Sequence, residues 1–137
     1  MTGVQTCALP IYQIQGRLPS NIGITLSKME VLSISANQFA GCIPVSIANA
    51  SNLYALTLAG NKFSGKVPSL DKLYKMIFFS IDHNNLGNGG ANDLSFLCSL
   101  TNATNLTELD MNANKFGGEL PKCIGNLSTT LDRKSVV

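Results

Sequence analysis

The sequence predicts an α/β solenoid: a superhelix with a parallel strand ribbon on its concave side and short helical or 3₁₀ turns on its convex side. Three observations predict it. Apolar residues recur at a fixed period, an asparagine follows each set, and Gly-x-Ile-Pro or a close variant follows most of those asparagines. One unit reads Met29, Leu32, Ile34, Asn37, Phe39, Gly41, Ile43, Pro44. The next reads Leu53, Leu56, Leu58, Asn61, Phe63, Gly65, Val67, Pro68, every element 24 residues later. A third reads Met76, Phe79, Ile81, Asn84, Leu86, and a fourth Leu106, Leu109, Met111, Asn114, Phe116, Gly118, Leu120, Pro121. Partial units flank these, with Gly16, Leu18 and Pro19 ahead and the apolar phase of Leu131 behind. A repeat of this size means stacked coils, none of which can bury its apolar face alone.

Each element of the unit has a physical reason. Around Leu56 and Leu58, alternation turns the leucines inward and leaves Ala55, Thr57 and Ala59 outward, the period of a half-buried strand. Asn37, Asn61, Asn84 and Asn114 come where the chain turns away from the ribbon. There a side-chain amide can bond backbone groups that the turn leaves unpaired, so they are expected to form a structural ladder. Phe39, Phe63, Leu86 and Phe116 fill the core behind it. Gly41, Gly65 and Gly118 permit tight backbone, and Pro44, Pro68 and Pro121 stop the short extended run that follows. Segments such as Ser46, Ile47, Ala48, Asn49, Ala50 close the coil on the convex side.

Composition excludes several classes of function. The formal charge is only +2 with no basic run, which argues against nucleic acid as a partner. No apolar stretch is long enough to span a bilayer, so this segment is expected to make no membrane contact. No nucleophile–base set, Gly-rich phosphate loop or paired metal motif is present, and no cofactor is expected.

The stretch LSISANQFAGCIPVSIANASNL resembles the plant-type leucine-rich repeat, whose Leu-x-Gly-x-Ile-Pro half sets it apart from other repeats of its class. The resemblance covers about 110 of the residues, within a repeat region expected over residues 12–131 as about four full units with partial ends. It implies a leucine-rich repeat superhelix from an extracellular domain of a receptor-like kinase, a receptor-like protein or a secreted polygalacturonase inhibitor. A narrower likeness lies in NNLGNG beginning at Asn84, DLSFL beginning at Asp93, SLTN beginning at Ser99, GELP beginning at Gly118 and IGNLST beginning at Ile124. These are similar to the middle of ectodomains in one receptor kinase subfamily. That subfamily holds immune receptors for bacterial elongation-factor and flagellin peptides and the rice bacterial-blight resistance receptor. It implies an extracellular peptide or protein ligand, a leucine-rich repeat co-receptor kinase as a further partner, and a serine/threonine kinase elsewhere in the parent. This chain itself would only sense. Cys98 and Cys123 stand where that pattern has small polar residues, so no family disulfide is carried over.

The ladder asparagines are spaced 24, then 23, then 30 residues apart. The long unit, residues 76–105, replaces Gly-x-Ile-Pro with the flexible-looking Gly87, Asn88, Gly89, Gly90, Ala91, Asn92, Asp93, ahead of an apolar turn at Leu94, Phe96, Leu97 and Leu100. It reads as a binding island or as an ordinary loop with a longer convex helix. The resemblance makes it a standing feature and favours the second.

Solenoids bind on their concave ribbon, where outward residues line up across units. The first rows, Val31, Ser33, Ser35 and Ala55, Thr57, Ala59, are small. The later ones carry Phe78, Ser80, Asp82, His83 and Glu108, Asp110, Asn112. An acidic strip beside an aromatic suits a basic or amphipathic extended peptide; the plain alternative is a solvated strand face. His83 has no companion at metal-site spacing.

Four sequons begin at Asn49, Asn102, Asn105 and Asn126. Asn49, Asn102 and Asn126 take equivalent convex positions, where glycans would leave the concave face open; Asn105 lies against a strand start and is the weaker acceptor. Three sequons in register on a repeat of this type lead to the expectation of a chain on the extracellular side of the plasma membrane, or in the apoplast if secreted. Cys42, Cys98 and Cys123 are an odd set. Cys98 and Cys123 fall one register step apart, so a bridge is geometrically open, but free, mostly buried thiols are expected.

The two ends stand outside the repeat. Residues 2–11 are what ACT GGA GTT CAG ACG TGT GCT CTT CCG ATC encodes, a common sequencing adapter whose next base, T, begins the Tyr12 codon. Residues 132–137 match GAT CGG AAG AGC GTC GTG of the same adapter, which continues into a stop. Residues 1–11 and 132–137 are therefore set aside from fold reasoning. Without Arg133, Lys134 and Asp132, eight basic and seven acidic residues remain, a nearly neutral segment. The remaining chain reads as an internal fragment of a longer ectodomain, or as a gene fragment without a function of its own. Ile14 and Leu18 at one end and Leu127 and Leu131 at the other are expected to lie open to solvent.

Overall fold

The computed structural model describes residues 5–8, 15–131 and 133–135. Two parallel sheets run side by side along a solenoid. The concave sheet has the order β1 (Gln5–Ala8), β3 (Met29–Ser33), β5 (Ala55–Thr57), β7 (Phe78–Ser80), β9 (Glu108–Asp110), β10 (Arg133–Ser135). The second sheet has β2 (Gln15–Arg17), β4 (Gln38–Cys42), β6 (Lys62–Gly65) and β8 (Asn85–Leu86). Within the repeats every neighbour is the strand one unit away, the topology that a period of one strand per coil requires.

The convex side is built from one turn of α-helix, α1 (Ile22–Thr25), and the 3₁₀ helices Val45–Asn49, Ser95–Asn102 and Lys122–Asn126. Pro44 and Pro121, in extended conformation, precede the first and last of these. The ring fixes φ and withholds an N–H, which ends strand pairing and lets the turn begin.

A single core runs along the axis. Met29, Leu53, Met76 and Leu106 are fully buried, as are Leu56, Leu58, Phe63, Phe79, Ile81 and Leu109. Phe39 and Phe63 stack with centroids 6.4 Å apart, one unit's core ring on the next.

The four asparagines account for the backbone at each turn. Asn61 Nδ2 donates to the carbonyls of Ile34, Leu58 and Ala59, while its Oδ1 accepts from Phe39 N at 3.0 Å. Asn84 repeats this on Leu58, Ile81 and Asp82, accepting from Phe63 N. Asn114 does so on Ile81, Met111 and Asn112, accepting from Leu86 N. Asn37 Nδ2 donates to Ile34 and Ser35. Asn61, Asn84 and Asn114 thus each tie their own turn to the turn of the unit before. The residue ahead of it takes the left-handed conformation in all four units: Ala36, Gly60, His83 and Ala113, with φ from 53° to 67°.

Two expectations are corrected here. Cys98 and Cys123 are not free thiols; they form a disulfide with Cα atoms 5.4 Å apart, joining the 3₁₀ helices of adjacent units. Cys42, the free cysteine among the described residues, is exposed rather than buried. The ends are also less open than expected. Leu127 is 9% exposed, and Leu18 and Leu131 are partly buried against the core. Residues 12–14, Ile14 among them, lie outside the described residues, as do residues 1–4, 9–11, 132, 136 and 137 of the segments set aside from fold reasoning. Gln5–Ala8 and Arg133–Ser135, the described parts of those segments, form the two edge strands of the concave sheet.

Candidate functional site on the concave face

Register places the outward residues in rows across the units. Val31, Ala55, Phe78 and Glu108 are successive partners, and so are Ser33, Thr57, Ser80 and Asp110. Ser35, Ala59, Asp82 and Asn112 follow one step further along each chain segment, where Gly60 N donates to Asp82 O and His83 N to Asn112 O. The first row passes from aliphatic to aromatic to carboxylate. Phe78 is 38% exposed, a large apolar ring beside the carboxylates of the next unit.

The acidic strip differs from its sequence expectation in one respect: Asp82 is already engaged. Ser80 Oγ donates to its Oδ1 at 2.6 Å, and His83 Nδ1 lies 2.8 Å from its Oδ2. Burial pushes the Asp82 carboxyl up. Hydrogen bonds from Ser80, from His83 and from its own backbone N–H, with the charge of His83, outweigh that and hold it below the usual carboxylate range. Because the carboxylate can only accept, Nδ1 of His83 carries the proton and the exposed edge of the ring faces outward. The order Ser–Asp–His is not a nucleophile arrangement, since Ser80 gives its proton to the carboxylate and not to the imidazole. Further along, Asp110 Oδ1 and Asn112 Oδ1 are buried without a hydrogen-bond partner. A buried acceptor left so costs on the order of 1–3 kcal/mol. Thr57 Oγ1 donates to Ser33 Oγ at 3.0 Å, so the hydroxyls of the first two units satisfy each other. Among the described residues no group of three His, Cys, Asp or Glu side chains could hold a metal ion.

Asn49, Asn102 and Asn126 are each the last residue of a convex 3₁₀ helix, and all three are exposed. Asn105 is exposed too, but Thr107 of its sequon donates its hydroxyl to Ile77 O across the units.

The long unit contains a device that sequence reasoning missed. Asp93 Oδ2 accepts from the backbone N–H groups of Asn88, Gly89, Gly90 and Gly117, at 2.9–3.1 Å. Desolvation raises the Asp93 carboxyl, but those four bonds together outweigh it and hold it below the usual range. The glycine-rich run is therefore a held loop and not a flexible one. A Cβ on Gly117 would lie 2.3 Å from the backbone of Gly89, so that approach admits only glycine. An acidic residue shortly after a glycine-rich run was the available signal.

Comparison with known proteins agrees with this architecture. The Leucine Rich Repeat family pattern matches residues 105–127. Receptor-like protein 39 of Arabidopsis thaliana is 37% identical over 112 residues, which is 81% of this chain and 12% of that protein. The LRR receptor-like serine/threonine-protein kinase EFR of the same plant is 45% identical over 60 residues, 44% of this chain and 6% of that protein. The crystal structure of the Arabidopsis receptor kinase HAESA, in complex with the peptide hormone IDA and the co-receptor SERK1, superposes with a TM-score of 0.80 at 27% identity. It covers 97% of this chain and 22% of that one. This chain thus spans a small part of each relative.

Proposed function

From the premise that this chain is a leucine-rich repeat solenoid of the plant receptor type, without catalytic machinery of its own, we propose that it is a ligand-docking section of a cell-surface receptor ectodomain. The ligand is an extracellular peptide or protein, laid across the units of the concave face, and the parent is a receptor-like kinase of immune or peptide perception. The carrying observation is the gradient along the register rows: small residues in the first two units, then Phe78, His83, Glu108 and Asp110 in the next two. A preformed face of this kind orders little on binding, so the docked ligand and the rim together make a joint surface for a shorter co-receptor. An extended peptide alternating Lys and Leu is the first probe. Binding should weaken at least tenfold in a Phe78→Ala, Glu108→Gln double variant; unchanged binding would remove the concave face from the reading.

A parent without a kinase is the second reading, favoured by the longer stretch shared with receptor-like protein 39 than with the kinase EFR. A secreted inhibitor-like protein is the form of it without an anchor. A long-read transcript through codons 12–131 separates these, since only the first continues into a membrane span and kinase. The same read tests our proposal that residues 1–11 and 132–137 are adapter-encoded. Glycans at Asn49, Asn102 and Asn126 complete the reading, with the convex side shielded and the concave side bare. Peptide mass spectrometry of protein secreted from plant cells should find these three occupied and Asn105 largely not.

A further inference from the structure

Charge is distributed unevenly around the solenoid. The carboxylates Asp82, Glu108 and Asp110 lie on the concave face, whereas the outer face of the second sheet carries cations. Arg17, Ala40 and Lys62 are successive register partners, so two exposed cations flank one small residue on a single face. Lys66 continues outward past Gly65, and Lys115, whose N–H donates to Leu86 O, extends the same backbone ladder into the fourth unit. All four cations are exposed, and none forms an ion pair among the described residues. The acids nearby do not neutralise them: Asp93 is occupied by four backbone N–H groups, and Glu119 sits at the far end of the stripe.

Two further properties narrow the partner. Side chains of one strand lie across glycines of the next. Arg17 Cδ is 3.2 Å from where a Cβ of Gly41 would stand, and Cys42 Sγ is 3.0 Å from that of Gly65. Amides and a hydroxyl (Gln15, Gln38, Asn85, Ser64) are interleaved with the cations. No large exposed apolar side chain of the described residues belongs to this face, so nothing there would insert into a lipid surface. Cations on strands two apart stand roughly 10 Å from each other.

We propose that this flank is a docking surface for an acidic polysaccharide, one whose sugar units carry carboxylates. The cations pair with uronate groups and the amides with ring hydroxyls. The site is separate from the concave face and does not depend on it.

Binding of polygalacturonate to the full chain, by titration at low and moderate salt, tests the proposal. The Arg17→Gln, Lys62→Gln, Lys66→Gln triple variant should bind at least tenfold more weakly, with a shallower salt dependence. Fully methyl-esterified polymer should bind far less well than the free acid. The concave pair Glu108→Gln, Asp110→Asn should bind as the parent chain does, which separates failure here from failure of the concave reading. Because the triple variant alters exposed side chains only, its far-UV circular dichroism should match the parent. Equal binding by that folded variant or of the esterified polymer overturns the proposal. Tighter binding to phosphatidylserine vesicles or duplex DNA than to polygalacturonate overturns it as well.

Discussion

The regular unit that begins at Leu53 and the long unit that begins at Met76 solve one problem in two ways. In the first, Gly65, Val67 and Pro68 lead the chain through a strand of the second sheet and into the convex turn, with Val67 buried. The long unit has only the two-residue strand Asn85–Leu86 there, and its backbone N–H groups turn to the Asp93 carboxylate instead. Its convex side is an eight-residue 3₁₀ helix pinned to the next unit by Cys98–Cys123. What both retain is the asparagine. The repeat therefore tolerates exchange of nearly every device except the one that satisfies backbone polar groups inside the turn.

The largest effect should come from breaking that shared device. Asn84→Ala strands the buried Phe63 N–H and removes the donor to three carbonyls. Buried groups left unpaired cost about 1–3 kcal/mol each, so a total loss of about 3–5 kcal/mol is expected in urea unfolding. Asn114→Ala, at a half-buried position, should cost less. If the two variants proved equal, burial would not be what makes the ladder expensive to break.

Next comes the device peculiar to the long unit. A Cys98→Ser, Cys123→Ser double variant should lose about 3 kcal/mol, the scale expected when a loop of this length is no longer closed in the unfolded chain. Loss of stability on reduction of the parent chain should match it, and reduction should leave the double variant unchanged. A parent chain insensitive to reductant would show the two convex helices to be held by packing alone.

The sequence made the shared features legible and hid the private ones, for a physical reason. Period and alternation report burial, and Leu56, Leu58, Phe79 and Leu109 are where a single strand per coil must put them. Cys98 and Cys123 stood one register step apart, but that spacing left both a bridge and two free thiols open, because nothing in the repeat calls for cysteine there. The second sheet was visible only as a short extended run before each proline, because strands such as Lys62–Gly65 are too brief for a pattern. On the concave face the rows followed from alternation, yet the Asp82–His83 pair did not. The left-handed position ahead of each asparagine recurs in all four units, but only this unit fills it with a histidine beside an aspartate, and a pairing made once leaves no periodic signal.

A smaller effect distinguishes the two loops by pH. The Asp93 carboxyl is lowered in the folded chain. Its contribution to stability is therefore present above the unfolded carboxylate value of about 3.9 and is lost as pH falls through the folded one. Hydrogen-exchange protection at Asn88 and Gly117, whose N–H groups have Asp93 as acceptor, should fall in that acid window, while Phe39 and Phe63, bonded to amides, should keep theirs. In Asp93→Ala the Asn88 and Gly117 amides should be unprotected already at neutral pH, whereas Gly89 and Gly90 retain Lys115 O and Asn88 Oδ1 as acceptors. Equal acid sensitivity in both sets would mean that global unfolding, and not the Asp93 carboxylate, is being read.

The smallest predicted change is a single base. Tyr12, Gln13, Ile14, Gln15, Gly16, Arg17, Leu18, Pro19 align one for one with Asn37, Gln38, Phe39, Ala40, Gly41, Cys42, Ile43, Pro44. Tyr12 is therefore the one residue of the series at a ladder position that is not asparagine. Tyrosine codons are TAT and TAC, and asparagine codons AAT and AAC, so the two differ only in the first base. Under the adapter proposal that first base is the adapter's final T, and only the second and third belong to the locus. The requirement for an amide at each turn, argued above from Asn61, Asn84 and Asn114, then selects asparagine among the codons ending in AT or AC. A transcript across the locus should read AAT or AAC at codon 12. Tyrosine, aspartate or histidine there would break the rule that the regular and long units share, and a transcript that reads residues 2–11 ahead of codon 12 would undo the adapter proposal.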